Sequence, residues 1–221
     1  MSTTIIELLF DALLETILMV GASSILSALI GIPLGVILMV TCEKQILENK
    51  SINRILGTVV NATRSTPFII LLVVIIPFTR IIAGTSIGTI AAIVPLTIAA
   101  IPFISRLVEA SLTKVDTGLI EAAEAMGASP LQIIVKVLLP EARSGIVTDL
   151  TTTVINLIGY SAMAGVVGGG GLGDVGIRYG YQRFCLEVMI LVVIILIVLV
   201  QIIQSFGDFF AKKLTKRSTR S

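Results

Sequence analysis

The sequence predicts an all-α membrane protein, a polytopic helix bundle with about five transmembrane helices. Of its 221 residues, 55% are hydrophobic and 14% are charged, whereas soluble domains average about 45 to 50% apolar and about 25% charged residues. The mean hydropathy is +1.05, and the apolar residues fall in runs close to the ~20 residues that cross a hydrocarbon core as helix. Most of the chain is therefore expected to lie in the membrane.

Five segments have the required length and apolarity, and we interpret residues 1–221 as one transmembrane domain built from them. The expected spans are about 17–40, 65–83, 86–104, 145–167 and 186–206. Before the first span, residues 5–15 place apolar and acidic side chains at helical spacing, which predicts a lead-in helix at the membrane interface. The long segment 105–144 is too amphipathic to span and is expected to form short helices outside the membrane.

The positions of Lys and Arg predict the orientation, because cytoplasmic segments carry the excess of these residues. Of the 16 basic residues, 13 lie in segments 41–64 and 105–144 and in the tail. With five spans, the N-terminus is then outside and the C-terminus is cytoplasmic. The tail contains Lys212, Lys213, Lys216, Arg217 and Arg220. A basic cluster beside a span favours topology and contact with anionic lipid over binding of nucleic acid.

The chain contains few groups that perform chemistry, and we expect no catalytic residue, metal site or cofactor of its own. It has no His, which removes the usual metal ligand and neutral-pH base. It also has no GxxxxGK[ST] phosphate-binding loop. Asp149 is the exceptional carboxylate within a predicted span; it is close enough to the inner end of that span to reach water. Cys42 and Cys185 are expected to be free thiols.

Small residues and prolines occur within the predicted spans, as is common in membrane helices. Gly31 and Gly35 form a small-xxx-small pair in the first span, which favours close packing of helices inside the bundle over a specific dimer seam.

The segment 105–144 contains the pattern that points most directly to a function. Within residues 119–142, Gly118 and Pro130 together with a turn at Gly127 predict two short helices. Ala122, Ala123 and Ala125 make the first helix narrow, and Glu121 and Glu124 place charge on its flank. In the second helix Leu131, Ile134, Val135 and Leu138 recur at helical spacing, a face predicted to pack under the spans. The two helices together are suited to transmit force from a partner protein.

The same residues resemble the EAA loop of binding-protein-dependent ABC importer permeases. Glu121, Ala122 and Ala123 are followed after three residues by Gly127, and nine residues later by Val137, one residue, Leu139 and Pro140. The family pattern differs only in having isoleucine where this chain has Val137. The resemblance implies a type I ABC importer permease fold, with Glu121, Ala122, Ala123, Glu124, Met126, Gly127, Leu139 and Pro140 coupling the chain to an ATPase.

The resemblance also implies the partners. They are a second copy of this chain forming a homodimer, two copies of a cytoplasmic ATP-binding-cassette ATPase, an extracytoplasmic substrate-binding lipoprotein, and membrane lipid. ATP hydrolysis would take place on the partner ATPase, and the permease would lie in a bacterial inner membrane.

Further runs are similar to the methionine-import branch of this family. They are RSTPFIILL at 64–72, IPFTR at 76–80, GTSIG at 84–88, AAIVPLT at 91–97, GYSAM at 159–163 and GGGGLG at 168–173. This similarity implies methionine as the cargo, in both enantiomers. Another small amino acid remains an alternative. Tyr160, Ser161 and Met163 are candidates for the translocation path, and Met163 is a candidate gate, although packing between helices is an equal alternative.

Three other functional readings are less favoured. Gly168, Gly170 and Gly173 satisfy GxGxxG, but the dinucleotide fingerprint requires a preceding strand, so a turned external loop that helps form the surface facing the binding protein is expected instead. A secondary transporter independent of ATP would need ionisable residues inside the membrane or an internal repeat. An intramembrane enzyme would need a catalytic group of residues, which the sequence does not supply.

Overall fold

The computed structural model describes the backbone of residues 2–218 and the side chains of residues 5–215. Within them the chain is helical and contains no strand. The basic residue Arg220 and the side chains of Lys216 and Arg217, part of the predicted basic tail, lie outside this description. The α-helices are α1 Ser2–Val40, α2 Lys50–Ser65, α3 Phe68–Val74, α4 Ile76–Ala83, α5 Thr89–Thr113, α6 Thr117–Ala125, α7 Pro130–Ile133, α8 Leu139–Val166, α9 Gly171–Val175 and α10 Leu186–Ser218, and the π-helical segments are Ile134–Leu138 and Gly176–Tyr181.

Among the described residues, three helices are long and apolar enough to cross a membrane, namely Ile5–Val40, Thr89–Thr113 and Leu186–Thr215. Two further spans are present if each bent pair of helices counts as one. These pairs are Lys50–Ser65 with Phe68–Val74, and Pro130–Val166 with Gly171–Tyr181. The total of up to five agrees with the predicted polytopic all-α class.

The expected span 65–83 consists of two short helices, α3 and α4. They are separated at Ile75, and Pro77 lies in the first turn of α4. A proline has no N–H for the helical hydrogen bond and is tolerated in a first turn, so it favours a new helix start at this point. The other predicted spans lie within longer helices, and where the membrane surfaces cut these helices stays a prediction.

Helix α1 has 39 residues, which at 1.5 Å per residue is about 58 Å, well beyond a hydrocarbon core of about 30 Å. The expected lead-in helix at residues 5–15 is therefore helical and continuous with the first span, and its location at the membrane interface stays a prediction. No glycine or proline interrupts residues 5–20, so the helix continues through them. Leu9 and Ala12 are buried in a cluster with Leu172, Val175 and Val188. The apolar side chains near the start of α1 therefore pack against other helices of the chain.

The chain divides into two compact units. The first contains Met1–Ser27, Thr66–Ala100 and Thr153–Gln204. Its core has two parts, the cluster around Leu172 already described and a second cluster in which Met19, Leu96 and Leu157 are almost fully buried. This unit contains the gate candidates and the glycine-rich loop.

The second unit contains Ala28–Ser65, Ile101–Thr152 and Ser205–Ser221. Its core includes Val108 and Leu112 of α5, Ile120 of α6, and Ile133 and Leu138 after the Gly127 turn. Helices α5, α6 and the start of α8 therefore share one packed core. This unit contains the predicted coupling segment.

Gly31 and Gly35 lie where α1 packs on α5 within the second unit. A methyl group on Gly35 would lie 2.6 Å from the carbonyl oxygen of Ser105, and one on Gly31 would lie 2.9 Å from the Ile104 side chain. Only hydrogen at these positions allows such a close approach. The predicted small-residue pair therefore packs helices inside the chain.

Candidate coupling segment and gate

Helix α6 begins at a side-chain cap. The Asp116 carboxylate accepts a hydrogen bond of 2.8 Å from the backbone N–H of Gly118, satisfying one of the amides that a helix leaves unpaired at its start. Gly118, expected to separate two elements, instead lies in the first turn of α6. The position at which the coupling helix starts is thus determined by Asp116.

Helix α6 ends shortly before Gly127, which has a φ of +79°. The N–H of Ala128 donates to the carbonyl of Ala123 at 3.0 Å, and the N–H of Gly127 donates to the carbonyl of Glu124 at 2.9 Å. This pair of bonds is the Schellman arrangement, which needs a left-handed residue at the position of Gly127. The predicted turn at Gly127 is confirmed.

The second short helix begins with a reciprocal cap. The Ser129 hydroxyl accepts from the N–H of Gln132, while the Gln132 side chain accepts from the N–H of Ser129 at 2.9 Å. Pro130 occupies the first helical position, where its missing N–H costs nothing. The two predicted short helices are therefore present, each with its own start signal.

The second short helix does not end before the following span. It widens into a π-helical segment at Ile134–Leu138 and continues as α8 from Leu139, with the N–H of Leu139 donating to the carbonyl of Ile134. Pro140 has no N–H to continue the α-helical ladder, and a π-turn is one way in which a helix accommodates such an interruption. Leu139 and Pro140 thus mark the junction between coupling segment and span.

The predicted coupling residues divide by exposure. Glu121, Ala122, Glu124, Met126, Gly127 and Pro140 are exposed, Leu139 is half-buried, and Ala123 is buried. Met126 is 82% exposed. Ala123 instead faces the core that contains Ile120 and Val115. Its small size allows α6 to approach that core closely.

The apolar face predicted for the second helix is only partly correct. Leu138 is buried and Ile134 packs on the core, but Leu131 is 69% and Val135 is 53% exposed. Ile133 is buried instead; it lies two positions from both Leu131 and Val135, which places it on nearly the opposite face of a helix. Leu131, Val135, Met126 and Leu119 are therefore exposed apolar side chains in the same segment as the exposed Glu121 and Glu124.

The three gate candidates face different directions on α8. Ser161 is buried and its hydroxyl donates to the carbonyl of Ile158 at 2.8 Å. Tyr160 is half-buried and stacks on Phe68, with ring centroids 4.6 Å apart. Met163 is 46% exposed. Only Met163 of the three presents its side chain to an open face of the helix.

Two residues on the open face of α8 were missed by the sequence interpretation. Asn156 and Gly159 are exposed, as are Met163 and Val166. Their spacing of three and four residues places them along one side of a helix. That spacing was readable in the sequence, and a polar Asn within an apolar run was a further signal. We refer to Asn156, Gly159, Met163 and Val166 as the α8 stripe.

The glycine-rich loop is held by the first helix. Gly168, Gly170 and Gly171 have positive φ. The N–H of Gly171 donates to a Glu15 carboxylate oxygen at 2.6 Å, and the N–H of Leu172 donates to the Thr16 hydroxyl at 2.9 Å. The preceding element is helix α8, so the context of a dinucleotide fingerprint is missing. The loop is tightly turned, as predicted, and Glu15 is its unpredicted partner.

The chain is similar to known proteins over most of its length. Residues 31–216 match the family described as the binding-protein-dependent transport system inner membrane component. A relative from Vibrio cholerae, described as a probable D-methionine transport system permease protein MetI, is 56% identical over 211 residues, covering 96% of this chain and 94% of the relative. The D-methionine transport system permease protein MetI of Escherichia coli K12 is 54% identical over 165 residues, 75% of this chain and 76% of its own length.

Two solved structures are also similar. A chain of the MetNI methionine ABC transporter in an inward-facing conformation aligns with a TM-score of 0.95 and 51% identity, covering 97% of this chain and 99% of that chain. A chain of an amino acid ABC transporter crystallised with histidines aligns with a TM-score of 0.78 at 20% identity, with 96% of each chain covered. The second likeness concerns the fold alone.

The predicted family resemblance and the predicted fold class are confirmed, since the fold is that of a type I importer permease. Because the family model covers most of the sequence and the relatives are more than half identical over long stretches, the chain belongs to the binding-protein-dependent transport system inner membrane component family, as a multi-pass permease subunit of an ABC transporter.

Proposed function

We propose that this chain is the membrane-spanning subunit of an ABC importer that moves methionine, as both L- and D-enantiomers, across the inner membrane. A separate ATPase drives the movement, and two copies of the chain form the path. The observation that carries this proposal is the coupling segment: a capped helix ending at the Gly127 turn, with acidic and apolar side chains exposed. Relatives described as D-methionine permeases support the choice of cargo.

The exposed coupling residues are the proposed ATPase contact. Glu121 and Glu124 offer charge, and Met126 and Leu131 offer apolar area, a combination typical of protein interfaces rather than of free surface. Buried Ala123 and the junction at Leu139 and Pro140 connect this contact to α8. When two ATPase subunits close on ATP, their grooves carry the two α6 helices together, and the spans change between inward and outward access.

The remaining partners and the orientation belong to the same proposal. A substrate-binding lipoprotein delivers cargo at the outer face, near the glycine-rich loop that Glu15 holds. The N-terminus is outside and the C-terminus is cytoplasmic, in agreement with the bias of Lys and Arg. Membrane lipid contacts the exposed apolar side chains of α10, such as Ile190 and Val198.

Uptake in a host lacking its own methionine importer tests the cargo. The chain is expressed with its neighbouring ATPase and binding protein, and we expect accumulation of labelled L- and D-methionine. Norleucine, which has methionine's shape without sulfur, and leucine serve as competitors. A matched arm uses the ATPase with its P-loop lysine replaced. Uptake that persists in this arm would favour a secondary transporter, and uptake of a different amino acid alone would replace methionine as cargo.

For the gate, we expect Met163→Ala to raise ATP hydrolysis by the assembled complex in the absence of cargo. The truncation removes apolar contact between the two copies worth about 1 kcal/mol, which corresponds to about a fivefold increase. Ile190→Ala is the matched control, since Ile190 is 50% exposed on α10. ATP hydrolysis and uptake are measured in reconstituted vesicles. Equal behaviour of the two variants would remove Met163 from the gate.

A further inference from the structure

A polar contact connects the two helices that flank the coupling segment. The Ser111 hydroxyl, in the last turn of α5, donates to the Asp149 carboxylate on α8 at 2.5 Å. The two residues are 38 positions apart, and α6, the Gly127 turn and α7 all lie between them. The helix that enters the coupling segment is thus bonded directly to the helix that leaves it.

The backbones also approach closely at this level. A methyl group on Gly145, one turn before Asp149, would lie 2.8 Å from the Ser111 hydroxyl oxygen and 3.2 Å from its Cβ. A larger residue at position 145 would require the Ser111 hydroxyl to rotate away from Asp149 or the two helices to shift. The hydrogen bond is therefore formed where the two helices are already in van der Waals contact, and a small separation is enough to break it.

The surroundings favour a strong bond. Ser111 is buried, with 8% exposure, and a hydrogen bond is electrostatically stronger in a protein interior than in water. Lys114 attracts the Asp149 carboxylate electrostatically. Lys114 also lines an adjacent cleft of about 330 Å³ together with Asp116 and Glu141. Charged groups therefore surround the bond at the base of α6.

Other contacts make the α5 side rigid. The Arg106 guanidinium donates to Glu109 at 2.6 Å, to the Asn61 side chain at 3.2 Å and to the carbonyl of Gly57 at 3.2 Å. The bonds to Asn61 and Gly57 attach the same stretch of α5 to α2. The Ser111 bond joins α5 to α8 one to two turns further along.

We infer that Ser111 and Asp149 form a clamp that makes α5 and α8 move as one body when the coupling segment is displaced. This inference rests on the proposed function, because it concerns how force from the ATPase reaches the spans. Without the clamp, displacement of α6 separates the two helices at Gly145, and less of the movement reaches the path. Ser111 and Asp149 are positioning residues, since neither contacts cargo.

The test compares Ser111→Ala with Ser105→Ala in the reconstituted complex of permease, ATPase and binding protein. Ser105 lies on the same helix and is fully buried, but its hydroxyl donates at 2.7 Å to the carbonyl of Ile101 on its own helix. We expect Ser111→Ala to lower the amount of methionine imported per ATP hydrolysed about tenfold, while Ser105→Ala leaves this ratio unchanged. Asp149→Ala should lower this ratio as much as Ser111→Ala does. Asp149→Asn keeps a hydrogen-bond acceptor and should lower it less.

The amount of methionine imported per ATP hydrolysed distinguishes a defect in coupling from a defect in folding. A variant that only folds less well lowers uptake and hydrolysis together, so its ratio stays at the native value. An unchanged ratio in Ser111→Ala, whether both rates fall or neither does, would overturn the clamp. The double variant Ser111→Ala with Asp149→Ala should be no worse than either single one, because the two residues act through one bond.

A distance measurement decides the clamp even if the cargo is not methionine. Cys42 and Cys185 are replaced by serine, and spin labels are attached at Thr113 and Thr148, which are exposed on α5 and α8. The complex contains two copies of the chain, so the shortest distance is the one between the two labels of a single copy. We expect this distance to be narrow and the same without nucleotide and with ATP. In the Ser111→Ala background the distribution should widen or shift with ATP. A distribution identical to the native one in both states would refute the clamp, whereas absence of methionine uptake by the native complex would refute only the proposed cargo.

Discussion

Replacing Gly127 with valine is expected to abolish most cargo uptake while leaving the chain in the membrane. Gly127 has a φ of +79°, and an L-residue in this left-handed region costs about 1–2 kcal/mol, with β-branched residues at the high end. The turn then opens, the bonds from Ala128 and Gly127 to α6 are lost, and α6 no longer keeps its angle to α7. Because each 1.4 kcal/mol is a factor of ten, uptake should fall about tenfold or more.

The neighbourhood of Gly127 makes this prediction specific. Nothing lies within 4 Å of a methyl group built at this position, so a methyl group there meets no clash within the chain. Gly127→Asn is the matched control, because Asn adopts the left-handed region more readily than other residues with a side chain. Uptake should follow the order Gly, Asn, Ala, Val, measured at equal permease and ATPase levels. An order that follows side-chain volume, with Asn below Ala, would contradict the argument from backbone conformation.

Replacing Gly35 with alanine is expected to destabilise the folded protein through a single methyl group. That group would lie 2.6 Å from the Ser105 carbonyl oxygen and 2.9 Å from the Val108 side chain. The first contact is with backbone, which cannot rotate away, so α1 and α5 must separate. Overpacking of this kind costs about 1–3 kcal/mol, which should lower the thermal midpoint of the purified protein by about 2–12 °C.

Gly21→Ala is the matched control for this measurement. Gly21 lies on the same helix, is exposed, and has nothing within 4 Å of a methyl group. Alanine is favoured over glycine in a helix by about 0.5–1 kcal/mol, so this variant should melt at the native temperature or slightly above. If the thermal midpoint of Gly35→Ala equals that of Gly21→Ala, then α1 and α5 are not in the close contact described.

Several features of the candidate site could be predicted because their signals are local. The left-handed turn at Gly127 was predicted in this way. The caps at Asp116 and Ser129 were not predicted, although they too depend on residues within a few positions of one another. The EAA spacing from Glu121 to Pro140 is likewise contained in one segment. Such patterns act through short-range hydrogen bonds and backbone sterics, which a linear sequence displays directly.

The side that each residue presents was harder to predict. Leu131 and Val135 were expected to pack inward, yet they are exposed. Leu131 lies in α7 two positions from the buried Ile133, and Val135 lies in the π-helical segment, whose period differs from the 3.6 residues per turn on which the prediction depended. Ser161 was grouped with Met163, but two positions along an α-helix correspond to nearly opposite faces. Residues near an irregularity in a helix therefore need the observed backbone before their partners are known.

The sequence by itself determined the membrane class, the all-α architecture, the family and the location of the coupling segment, because composition, apolar run length and motif spacing are properties of the chain alone. Only the tertiary structure decided that Glu15 accepts a hydrogen bond from the loop at Gly171, that Gly35 allows α1 to pack closely on α5 at Ser105, and that Ser111 donates a hydrogen bond to Asp149. These pairs are 156, 70 and 38 positions apart in the chain. Contacts at such separations depend on how whole helices pack, and many partners are compatible with the same local pattern until that packing selects one.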